Sequence, residues 1–72
     1  MFVYAQQNKG NISGSVSESV SGYPLEGANI TVQGLEIGTT SDANGQFSIR
    51  DLKQGYYTLI ISFIGFESII IP

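Results

Sequence analysis

Ala28-Asn29-Ile30-Thr31-Val32-Gln33 alternates apolar and polar residues without a break. Successive side chains of an extended backbone point to opposite faces, so Ala28, Ile30 and Val32 share one face. Asn29, Thr31 and Gln33 share the other. This is the pattern of a half-buried strand, and the flanking sequence repeats it. Downstream, residues 34–38 close a short hairpin loop onto Thr39-Thr40-Ser41. Asp42-Ala43-Asn44-Gly45 is a turn, because Asp and Asn side chains bond nearby amides and Asn-Gly tolerates φ > 0. Phe47 and Ile49 then alternate with Gln46, Ser48 and Arg50.

A turn around Lys53-Gln54-Gly55 leads into the longest expected strand, residues 56–64. Its inward set is Tyr57, Leu59, Ile61 and Phe63. Ile60 and Ile64 fall on the opposite face, which implies cover on both sides or partial exposure. Gly65 breaks this strand, and residues 66–71 form a last one before Pro72. Upstream, Ser21-Gly22-Tyr23-Pro24 turns the chain, since Gly accepts φ > 0 and Pro removes a ladder donor. Before it, residues 11–17 read as a strand with Ile12, Gly14 and Val16 on one face and Ser13, Ser15 and Ser17 on the other. The one window with helical period, residues 20–28, contains Gly22, Pro24 and Gly27 and does not support a helix. Short strands at this spacing, separated by turn residues, predict an all-β sandwich.

The 72 residues bound a single domain, which buries only roughly 60% of the surface its unfolded chain exposes. Cysteine and histidine are both absent, so neither disulfides nor the common zinc ligand sets stabilise it. Hydrophobic content of 42% against 12% charged residues argues for a folded chain rather than a disordered one. Net charge is −3, and Lys9, Arg50 and Lys53 are the only basic side chains. Three scattered cations do not make the phosphate-binding surface that nucleic acid requires, and an anionic membrane surface is disfavoured for the same reason. No stretch approaches the ~20 apolar residues of a membrane-spanning helix, so direct insertion by such a segment is not expected.

Residues 1–10 are expected to be an N-terminal overhang, with the domain proper at 11–72. Val3-Tyr4-Ala5 before Gln6 places small or aliphatic residues at the −3 and −1 positions of a signal-peptidase site. Residues 1–5 are thus either the remnant of a signal peptide or an ordinary overhang, and both readings stay open.

Three blocks resemble one family. They are Gly22-Tyr23-Pro24-Leu25-Glu26-Gly27-Ala28-Asn29-Ile30, then Gly38-Thr39-Thr40-Ser41-Asp42-Ala43-Asn44-Gly45-Gln46-Phe47, then Gly55-Tyr56-Tyr57-Thr58-Leu59 with Ser62-Phe63-Ile64-Gly65-Phe66-Glu67. Their order and spacing resemble the carboxypeptidase-regulatory-like domain, a transthyretin-like (prealbumin-like) Greek-key β-sandwich. The last block is most similar to the version at the start of SusC/RagA-like TonB-dependent outer-membrane transporters of Bacteroidetes. The resemblance implies a fragment of a larger protein, located in the periplasm or at the cell outer membrane. Its partners would be the plug and barrel of the parent transporter and other envelope proteins. The family normally continues into a further strand, so the resemblance also implies that the last strand is missing.

No reactive constellation accompanies these motifs. Without His or Cys, neither a Ser-His-Asp nor a Cys-His nucleophile can be assembled. The six carboxylates, Glu18, Glu26, Glu36, Asp42, Asp51 and Glu67, sit in turns or at strand ends rather than in facing pairs. Asp42-Ala43-Asn44-Gly45 superficially resembles the start of a calcium loop. The positions that should supply further oxygens run into Phe47 and Ile49, so turn chemistry is the better reading. Asn11-Ile12-Ser13 and Asn29-Ile30-Thr31 match the glycosylation sequon but are read as strand residues, given the bacterial resemblance. No catalytic, metal or cofactor site is expected.

Tyr4, Tyr23, Tyr56 and Tyr57 are the candidates for an aromatic platform for sugar, and of these Tyr57 is assigned to the core. Tyr23 and Tyr56 flank turns and are the candidate exposed aromatic contacts, although packing over the small core is favoured for their rings. The apolar runs 59–64 and 69–71 carry high β-propensity, and self-association through open strand edges is expected of them. The leading expectation is a non-catalytic N-terminal periplasmic accessory domain of a TonB-dependent nutrient transporter, acting in packing, docking or spacing. The alternatives are a carbohydrate- or peptide-binding module and an accessory domain of a zinc carboxypeptidase.

Overall fold

A computed structural model of the chain describes residues 1–66 and 68–71. Among the described residues it is all-β: seven strands form two antiparallel sheets. They are β1 (Phe2–Asn8), β2 (Asn11–Ser17), β3 (Asn29–Val32), β4 (Gly38–Thr40), β5 (Gln46–Ile49), β6 (Leu59–Ser62) and β7 (Ile69–Ile71). One sheet has the order β1-β2-β5 and the other β4-β3-β6-β7.

The core lies between the sheets and follows the period-two pattern. Ile12 and Val16 come from β2, Ala28, Ile30 and Val32 from β3 and the residue before it, Phe47 and Ile49 from β5, and Leu59 and Ile61 from β6. Leu52 completes it from the loop after β5. Ile30 and Ile61 are opposite each other in the β3–β6 ladder and both are fully buried. Aliphatic side chains at these central positions supply the hydrophobic term that a chain of this size depends on.

The Asp42 turn positions the two sheets. The Asp42 carboxylate accepts the amides of Asn44 and Gln46, both at 2.9 Å, and Gly45 adopts φ = 74°. The Gly45 carbonyl then accepts the Val16 amide at 2.7 Å, which ties the turn to the end of β2. A Cβ on Gly45 would strike the Val16 carbonyl, so the close approach requires glycine.

Three expectations are corrected. The first residues are not an overhang: β1 pairs with β2 along its whole length, from Phe2↔Ser17 to Asn8↔Asn11. The local cause is the Lys9-Gly10 loop, where φ of 47° and 89° suits the primed turn that a two-residue hairpin favours. Val3 and Ala5 turn partly toward the core, and Phe2 and Tyr4 point outward.

The expected long strand at 56–64 is only four residues, Leu59–Ser62. Its partner β3 ends at Val32, opposite Leu59, so no ladder extends further back. Leu59 and Ile61 are buried, Tyr57, Ile60 and Phe63 are half-buried, and Ile64 is 95% exposed.

The last strand is likewise shorter, Ile69–Ile71. A turn at Phe63-Ile64-Gly65-Phe66, closed by the Phe66 amide on the Phe63 carbonyl at 3.1 Å, takes up the residues before it. Glu67, the end of the third motif, and Pro72 lie outside the described residues.

Candidate functional site

The register of the three-stranded sheet assembles its outer face. Tyr4 lies opposite Ser15, which lies opposite Gln46; Gln6 lies opposite Ser13, which lies opposite Ser48. Phe2 and Ser17 extend the same face. No residue of this set is charged. Beside it a shallow groove of ≈ 600 Å³ is lined by Tyr4, Ser13, Ser15, Gln46 and Ser48, with Thr39, Thr40 and Asp42 along one wall. The Tyr4 hydroxyl donates to Gln6 Oε1 at 3.2 Å. Hydroxyls, amides and one ring can form neutral hydrogen bonds and stacking contacts, but they provide no general base or nucleophile pair. The Asp42 carboxylate, the nearest charge, is engaged by the amides of its own turn.

The structure does not bring the sequence-predicted aromatics together. Tyr23 belongs to the loop between β2 and β3, at the end of the sandwich that carries the Asp42 turn. Tyr56 precedes β6 and belongs to the opposite end, beside the β1–β2 hairpin, where Gln7 donates to the Gly55 carbonyl at 2.5 Å. The molecule is 35 Å along its longest axis. The two rings therefore do not share one platform. Against the expectation that their rings pack over the core, both are exposed, Tyr23 at 74% and Tyr56 at 104%. The reason is local: Ser17 and Pro24 pair as an isolated bridge, which leaves Tyr23 outside the core. It is Tyr57, donating its hydroxyl to the Lys53 carbonyl, whose ring packs inward.

Charge divides along the same axis. Glu18, Glu26 and Asp42 lie in the connections at the Tyr23 end, while Lys9, Arg50 and Lys53 lie in those at the Tyr56 end with Glu36 and Asp51. The Glu18 carboxylate accepts the Val20 amide at 3.0 Å and the Ser21 amide at 2.9 Å. These bonds favour its ionised form and lower its pKa from 4.5 to about 2. Glu18 is thus a loop brace.

Among the described residues, no three His, Cys, Asp or Glu side chains converge as a metal site. Two smaller hollows remain. One of ≈ 490 Å³ is bounded by Glu26, Asn29, Phe63 and Ile64, with the Phe63 and Phe66 rings 5.8 Å apart beside it. The other, ≈ 380 Å³, lies at Lys9, Leu52 and Gln54. The feature that sequence reasoning missed is β1 with its outward Tyr4. Two signals could have found it: the Phe2-Val3-Tyr4-Ala5 alternation and the Lys9-Gly10 turn.

This seven-strand architecture, with its glycine-closed turns, is that of a regulatory-like β-sandwich module, and comparison with known proteins agrees. The family model described as CarboxypepD_reg-like domain matches residues 12–72, and the chain belongs to that family. It is 36% identical over 63 residues to TonB-dependent receptor P3 of Formosa agariphila, covering 88% of this chain and 6% of that receptor. It is 38% identical over 64 residues to TonB-dependent receptor SusC of Bacteroides thetaiotaomicron, covering 89% of this chain and 6% of that receptor. A further relative is TonB-dependent receptor P39 of Formosa agariphila, 35% identical over 51 residues, or 71% of this chain and 5% of that receptor. The chain thus spans only a small part of the curated relatives it matches. No solved structure matches it.

Proposed function

We propose that this chain is a non-catalytic accessory domain of a TonB-dependent outer-membrane nutrient transporter, lying in the periplasm on the N-terminal side of the plug and barrel. The carrying observation is the 38% identity to SusC across 89% of this chain. A module of this size does not enclose a transport pathway, so its contribution is mechanical: packing against the plug, docking an envelope partner, or spacing the plug from other segments. The fold supports such a role. Its groove is lined mainly by hydroxyl and amide groups with Asp42 on one wall, and its two ends carry opposite charge bias, which favours one docking orientation over its reverse.

The reading is tested on the parent protein. The reading frame should continue into a plug and a long array of amphipathic strands. Excision of residues 11–72 from that protein should leave the barrel inserted in the outer membrane while lowering nutrient-dependent growth. A frame that instead encodes a zinc peptidase would refute the assignment, as would excision with no effect on uptake.

A further inference from the structure

β1 carries the longest unpaired strand edge among the described residues. Its inner side is matched to β2 residue by residue, and no strand lies on its other side. The remaining edge strands are short: three residues in β4, four in β5 and three in β7. A two-residue loop is flanked by a hydrogen-bonded pair, here Asn8 and Asn11, and bonded and non-bonded pairs alternate from there. The main-chain N–H and C=O groups of Val3, Ala5 and Gln7 therefore point away from β2. Their spacing of two is what another antiparallel strand requires.

Natural edges are blunted by charge, proline, bulges or brevity. Phe2–Asn8 has none of these devices. A chain of net charge −3 repels its own copy, so two copies meet most easily where carboxylates are absent. The β1 edge and the uncharged face behind it meet that condition. The strand also complements itself: run antiparallel about Ala5, Val3 faces Gln7 of the second copy and Tyr4 faces its Gln6. The apolar segment 59–64 cannot serve, because β6 is held between β3 and β7 inside its sheet.

We propose that β1 is a dimerisation edge that pairs antiparallel with β1 of a second copy of this chain, about a two-fold axis at Ala5, joining two three-stranded sheets into one of six strands.

Sedimentation of the purified chain from micromolar to millimolar concentration should show a species of twice 7.7 kDa. Hydrogen exchange at the Val3, Ala5 and Gln7 amides should be slow in that range and become fast on dilution. Ala5→Pro removes an outward-facing donor that the β1–β2 ladder does not use, so it should give a monomer with an unchanged far-ultraviolet spectrum. Ile70→Lys, on the exposed β7 edge, should leave the dimer intact. A monomer at every concentration overturns the proposal, as does exchange at these three amides that ignores dilution. A dimer that survives Ala5→Pro, or is lost with Ile70→Lys, overturns it equally.

Discussion

The Ser41 hydroxyl donates to the Leu25 carbonyl at 2.6 Å, reaching across from the end of β4 to the loop that leads into β3. The same oxygen accepts the Ala28 amide at 2.9 Å. Ser41 is 3% exposed and is the one buried polar side chain among the described residues. Removing its hydroxyl leaves a buried donor and a carbonyl without their partner, which costs about 1–3 kcal/mol. Ser41→Ala should lower the urea midpoint accordingly with an unchanged slope.

Asp42 braces the adjacent turn through a single oxygen that serves two amides. Asp42→Ala should lose about 1–2 kcal/mol, by analogy with the loss of a helix cap that satisfies amides in the same way. Asp42→Asn keeps an acceptor in place and should retain most of that stability. Thermal melts of the two variants side by side check the difference.

Glu18 makes stability depend on acidity. Its pKa falls from 4.5 to about 2 on folding, so the folded state binds the proton less readily than the unfolded one. The contribution is complete above about pH 4.5 and is lost as pH drops toward 2. Glu18→Gln should flatten that part of the stability profile. Urea titrations of both proteins at steps across this window provide the measurement.

Gly14 leaves no room for a side chain between β1 and β5. A Cβ there would fall on the Tyr4 carbonyl and within 2.8 Å of the Phe47 ring. Gly14→Ala should cost at least about 1–3 kcal/mol through overpacking and shift the β1 amide resonances.

Ile61 is fully buried opposite Ile30, at the middle of the β3–β6 ladder. Ile61→Ala should cost about 2–5 kcal/mol, a large part of what a domain of this size possesses. The variant is expected to be largely unfolded at body temperature, with collapsed amide dispersion in a two-dimensional spectrum.

Much of this is legible in the amino-acid sequence. The inward faces of residues 28–32 and 46–49, the strand at 11–17 and the turn at Asp42 all follow from local alternation and turn chemistry. Each is written within a few residues, because side-chain period and φ preference are properties of the chain itself.

What needed the tertiary structure was everything that depends on a partner. Strand β6 is short because β3 is short, and no property of residues 56–64 reveals that. Tyr23 and Tyr56 are chemically alike and equally near turns, and only the path of the loops sends them to opposite ends. The role of β1 became visible once it was seen to pair with β2 on one side and with no described strand on the other. Pairing joins residues far apart in the chain, so its outcome is decided by which edges meet, whereas the alternation that makes an edge is decided locally.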